Sequence, residues 1–136
     1  MTKGFMTILI CEHEEIMLTA IEFRMRKAGF KVCRAKNGAE ARAKIAEENP
    51  GFIVTDLVLP KTDVLELIDE IRNEKKNDVP IIMITDLDNA DDIILEGFRL
   101  GANDFVTKPF KPAELVLRIR RIFQDRGIVV EREKIT

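Results

Sequence analysis

Five short runs rich in isoleucine and valine alternate with longer stretches in which apolar residues recur at helical spacing. No other feature constrains the fold as much. The strand candidates are Thr7–Cys11, Lys31–Ala35, Phe52–Thr55, Ile81–Thr85 and Asp104–Thr107. Strands separated by helices of this length require right-handed crossovers, and these produce a parallel sheet covered by helices on both faces. The predicted fold class is therefore α/β.

The intervening stretches carry helix signals of their own. The first helix shows Met17, Ala20, Ile21, Met25 and Ala28 as an inner stripe, ended by Gly29. The second opens on "NGAE", where Asn37 can cap the first turn, Glu40 stands at the capping-box position, and Ala41 and Ile45 face inward. The third places Val64, Leu67, Ile68 and Ile71 on one face. The fourth, about Ala90–Leu100, contains Gly97, which costs about 1 kcal/mol relative to alanine inside a helix. The fifth starts at Pro112, a favoured first helical residue, and turns Leu115, Ile119 and Ile122 inward.

Bulk properties narrow the function. The 136 residues suit one domain, and 22 basic against 24 acidic residues give a net charge of −2, without the basic excess of a nucleic-acid surface. Direct nucleic-acid binding by this chain is not expected. No run approaches the roughly 18 apolar residues of a membrane span, and the start "MTKGFMTILI" lacks the cleavage site of a secretory signal, so a cytoplasmic location away from membranes is expected. Cys11 and Cys33 lie in separate strand-like runs without metal-site spacing and read as buried small hydrophobes.

In a parallel α/β sheet, functional groups gather beyond the carboxyl ends of the strands. The residues at those ends are Glu12, His13, Asp56, Thr85, Asp86 and Lys108. Carboxylates gathered at one place repel unless a cation intervenes, which implies a bound cation or an interior ion pair. A carboxylate can attack a phosphoryl group when a divalent metal and a lysine neutralise charge on the transferring oxygens, and Asp56, Lys108 and the Thr85 hydroxyl are the residue types that this needs.

Four segments, "ILICEHE", "TDLVLPKTD", "PIIMITD" and "GANDFVTKPF", stand in the order and spacing of the receiver domains of two-component response regulators, which the chain resembles over nearly its whole length. The resemblance implies a flavodoxin-like three-layer sandwich with strand order 2-1-3-4-5. It implies that Asp56, with Pro60 following, accepts a phosphoryl group from a sensor histidine kinase or a phosphotransfer protein. Thr85 would bond a phosphoryl oxygen, Phe105 would stand at the switch position, and Lys108, before a cis Pro109, would pair with the phosphoryl group. Such a domain signals; it is not an enzyme in the ordinary sense.

Two positions depart from the family. Glu12 and His13 replace the usual pair of aspartates that hold Mg²⁺ with the phosphoacceptor, and imidazole suits softer metals better than Mg²⁺. Mg²⁺ or another divalent cation is the expected cofactor, held weakly or atypically by Glu12, His13 and Asp56. Asp86 follows Thr85 where the family has a small residue, and is a candidate replacement carboxylate. Three readings of His13 stay open: a metal ligand, an imidazolium paired with Asp56 or Asp86, or a side chain facing solvent.

Asp104, Glu114, Arg118 and Arg120 resemble the charged face that many receivers use to dimerise through the fourth helix, fifth strand and fifth helix, so Glu114, Arg118 and Arg120 are interface candidates. The receiver is expected over residues 1–126, with 127–136 a tail or the start of a linker. The competing function is a pseudo-receiver, a protein-interaction module that works without phosphorylation. A flavin protein on the same scaffold is not expected, because the chain has no glycine-rich phosphate loop after the first strand and no tryptophan or tyrosine to stack on the ring.

Overall fold

The computed structural model describes residues 6–86 and 91–128. Five strands, β1 (Thr7–Cys11), β2 (Lys31–Ala35), β3 (Phe52–Asp56), β4 (Ile81–Thr85) and β5 (Asp104–Thr107), alternate with helices. They form one parallel sheet in the order β2-β1-β3-β4-β5. The expected strands are all present, and β3 runs one residue further, to Asp56.

Side chains alternate across a strand, so each strand feeds two cores. Ile8, Ile10, Phe52, Val54, Ile82 and Ile84 pack under α1 (Glu15–Lys27) and α5 (Pro112–Asp125). Leu9, Cys11, Cys33, Ile53, Ile81 and Met83 pack under α2 (Gly38–Glu48), α3 (Val64–Asp69) and α4 (Asp91–Leu100). Both cysteines are buried and free. Among the described residues no helix is long and apolar enough to cross a membrane.

Local chemistry explains most element boundaries. Asn37 accepts from the Glu40 N–H at 2.9 Å, and Glu40 reaches back to the Lys36 N–H at 2.8 Å, one residue before the usual capping-box partner. After α1, Gly29 at φ +98° lets its own N–H reach Arg26 O and the Phe30 N–H reach Met25 O, a Schellman closure.

Three details differ from the periodicity. The buried stripe of α1 is Leu18, Ile21 and Met25, while Ala20 is exposed and Met17 and Ala28 are half-buried. Packing chose leucine's larger apolar surface over alanine's. The third helix continues beyond Asp69 as a π-helical segment, Glu70–Glu74, in which the Lys75 N–H bonds Glu70 O at 3.0 Å. In the fourth helix, Ala90 lies outside the described residues, and Gly97 is buried against Met83 of β4: a Cβ there would stand 2.2 Å from the Met83 sulfur. That approach accounts for a glycine inside the helix.

Candidate functional site

Strand pairing brings four chain segments to one end of the sheet. The β1 ladder extends to Glu12, whose N–H bonds Ala35 O at 3.0 Å; Leu57, after β3, bonds Ile84 O at 2.9 Å; and Lys108, after β5, bonds Thr85 O at 2.8 Å. Glu12, Asp56, Thr85 and Lys108 thereby share one crevice. The Lys108–Pro109 bond is cis.

Asp56 is 4% exposed. Its Oδ1 accepts the Val58 N–H at 2.7 Å, and its Oδ2 lies 2.6 Å from Lys108 Nζ. Lys108 Nζ also lies 3.5 Å from Glu12 Oε1 and 3.4 Å from Glu14 Oε1. Burial by itself would lower the lysine's pKa, but the Asp56 hydrogen bond and the charges of Asp56 and Glu12 outweigh it and raise the pKa above its ordinary value. The ammonium is held charged by the carboxylates around it.

Glu12 is fully buried. Its Oε2 accepts the Glu14 N–H at 3.1 Å, whereas its Oε1 has no hydrogen-bond partner among the described residues. Burial, with the Asp56 charge adding to it, raises the Glu12 pKa. His13 is 40% exposed, with Nδ1 3.5 Å from Glu12 Oε2, and this is its ion-pair contact among the described residues. Ligand atoms of Glu12, His13 and Asp56 all lie within 4.8 Å of one another.

A buried carboxylate oxygen with an unused lone pair, next to a second carboxylate and an imidazole, fits a divalent cation. Asp86 does not join this group. It is exposed, and its main-chain carbonyl accepts the Thr85 hydroxyl at 3.2 Å. Among the described residues, the ligand atoms that gather are those of Glu12, His13 and Asp56, without Asp86.

Phe105 is half-buried against the core beneath α4 and meets Phe98 edge-to-face, with ring centroids 5.9 Å apart. Arg118 binds Asp104 at 2.9 and 3.1 Å and Glu114 at 2.9 and 3.1 Å, so the charged face of β5 and α5 is knitted internally. Arg120 is not on that face. Two positions along a helix turn a side chain by about 200°, and Arg120 instead donates to Ala28 O at 3.3 Å on the α1 side. Glu14 is the contact to Lys108 that sequence reasoning missed, although it stands in the "ILICEHE" segment beside Glu12 and His13.

These strand ends on a 2-1-3-4-5 parallel sheet are arranged as in the receiver class of signalling domains. Residues 8–120 match the response regulator receiver domain, and the chain belongs to that family. It is 38% identical over 117 residues to the alkaline phosphatase synthesis transcriptional regulatory protein PhoP of Bacillus subtilis, covering 86% of this chain and 48% of that protein. It is 39% identical over 117 residues to the probable transcriptional regulator ycf27 of Porphyridium aerugineum, with the same coverage. The chain thus spans about half the length of these relatives. A response regulator from Chloroflexus aurantiacus superposes with a TM-score of 0.81 at 34% identity, covering 89% of this chain and 99% of that one. The Francisella response regulator 1452 receiver domain superposes with a TM-score of 0.80 at 26% identity, covering 89% and 98%. Receiver domains are signalling domains that bind Mg²⁺ through acidic residues; the acidic cluster in this chain is Glu12 and Asp56.

Proposed function

We propose that this receiver domain accepts a phosphoryl group on Asp56 from the phosphohistidine of a sensor histidine kinase or phosphotransfer protein. The observation that carries the reading is a nearly buried carboxylate, oriented by the Val58 N–H, with the Lys108 ammonium 2.6 Å away. An Asp56 oxygen attacks phosphorus, the P–N bond to the donor imidazole breaks, and an acyl phosphate forms. Lys108 can follow charge from the carboxylate onto the phosphoryl oxygens, and the Thr85 hydroxyl, at the neighbouring strand end, can donate to one of them. A divalent cation held by Glu12, His13 and Asp56 would add positive charge at the same oxygens. We take residues 1–126 as the receiver body, a reading that the family match over residues 8–120 supports.

Phosphorylation would alter the contact of Phe105 with Phe98 and so the surface of α4 and α5. A homodimer through α4, β5 and α5 is the output that this surface favours, because Leu95 on α4 and Leu117 on α5 are 66% and 67% exposed, and Leu117 lies beside Asp104, Arg118 and Glu114. Arg120 takes no part in it. The phosphorylation-independent alternative has less support, since the family's Asp56, Thr85 and Lys108 are all in place.

Incubation with acetyl phosphate or phosphoramidate and Mg²⁺ or Mn²⁺, read by intact mass, tests the reading. One added phosphoryl group that vanishes in Asp56→Ala is expected. No gain with either donor under either metal would reject it.

A further inference from the structure

The Glu12, His13 and Asp56 group carries a finer conclusion about its metal, which rests on the same site as the proposed phosphorylation. Hard cations such as Mg²⁺ demand oxygen ligands, preferably anionic ones, in tight octahedral geometry. His13 offers an imidazole nitrogen at the rim, so only Glu12 and Asp56 supply side-chain oxygens to the group. Imidazole, by contrast, suits the later first-row metals.

His13 Nδ1 and Glu12 Oε2 are separated by 3.5 Å, close enough for one ion to reach both. Glu12 Oε1 is an independent observation: it is buried without a hydrogen-bond partner among the described residues, and Lys108 Nζ at 3.5 Å is beyond ordinary hydrogen-bond length, so a lone pair is left to ligate a metal.

We propose that the crevice selects a borderline transition-metal dication, of the Co²⁺ or Zn²⁺ kind, over Mg²⁺, and that the His13 imidazole is the ligand that sets the preference. Asp56 ends β3, and Glu12 and His13 directly follow β1, with the Glu12 N–H still bonded to Ala35 O, so the paired strands position the site. His13 is half-exposed and can rotate to complete the ligand set without repacking the core.

Titration calorimetry of the untagged chain with Co²⁺, Zn²⁺ and Mg²⁺ tests the proposal in the absence of any phosphoryl donor. The affinity order alone is not diagnostic, because most donor sets rank these metals similarly, so the variants decide. His13→Ala is expected to lower Co²⁺ affinity by at least about tenfold, the low end of what even outer-sphere changes cost a metal site, with a smaller change for Mg²⁺. His13→Asp is expected to strengthen Mg²⁺ binding and lower the Co²⁺ to Mg²⁺ affinity ratio.

The chain has a single histidine, so NMR adds a readout that a structural role would not move: paramagnetically shifted imidazole signals in the Co²⁺ form that Asp56→Asn weakens. Unchanged Co²⁺ affinity in His13→Ala, an unchanged ratio in His13→Asp, or unshifted imidazole signals at saturating Co²⁺ would each overturn the proposal. Because phosphoryl uptake is read separately by mass, either conclusion can fail while the other stands.

Discussion

Lys108 Nζ lies 2.6 Å from Asp56 Oδ2, joining the ends of β5 and β3 across 52 residues of chain. The pair neutralises a carboxylate that is nearly out of water, and Glu12, wholly out of water, shares the same ammonium at 3.5 Å.

Lys108→Met should therefore destabilise the fold. Breaking a buried pair costs roughly 3–5 kcal/mol, and the partial exposure of Lys108 reduces that to about 1–2 kcal/mol at pH 7. Urea denaturation measures it. The loss should shrink toward pH 5: the native Glu12 pKa is raised, so the native state takes up a proton before the unfolded chain does and gains relative stability as pH falls toward 4.5. A loss that grows on acidification would contradict the assignment.

Gly97→Ala should destabilise despite improving helix propensity. The new Cβ would stand 2.2 Å from Sδ and 2.9 Å from Cε of Met83, which is fully buried. Overpacking typically costs about 1–3 kcal/mol, against about 1 kcal/mol gained from replacing glycine in a helix. A net loss is expected in thermal or urea unfolding, partly recovered by shortening the obstacle with Met83→Val.

Asn37→Ala removes the acceptor of the Glu40 N–H at the start of α2. The expected cost is about 1 kcal/mol, with Asn37→Ser close to neutral, because serine caps comparably. Chemical denaturation of the two variants side by side checks it.

Alkaline stability should reflect the thiols. Burial pushes Cys11 from its ordinary 9.0 up to about 12, only partly opposed by a Thr55 side-chain hydrogen bond. The unfolded chain loses this proton near 9 while the native state keeps it. That contribution is complete below pH 9 and is lost as pH rises toward 12, by at most roughly 4 kcal/mol at 1.36 kcal/mol per unit. Lys108, whose pKa is also raised, adds a loss of the same sign above 10.5. Urea midpoints measured between pH 8 and 10.5 should fall steadily, and more gently in Cys11→Ala. Native protein at pH 8 should leave Cys11 unmodified by a thiol reagent that labels it in urea.

The sequence alone determined the local architecture. Strand positions, the Asn37 cap, the Gly29 closure and the inner faces of α3 and α5 depend on period and on neighbours within a few residues, and backbone geometry makes those rules nearly independent of context. The positions of Glu12, Asp56, Thr85 and Lys108 at strand ends were legible for the same reason, since a parallel sheet places such residues on one edge.

What the side chains do there was decided only by tertiary structure. Lys108 chooses among Asp56, Glu12 and Glu14 through distances set by three separate strands. Asp86 is exposed, although its neighbour Thr85 is buried. Arg118 and Arg120, two residues apart, serve opposite sides of α5. The Met83 sulfur beneath α4 explains a glycine that helix propensity would disfavour. In each case the deciding partner is far away in sequence, and close packing or desolvation, rather than local propensity, supplies the energy that selects it.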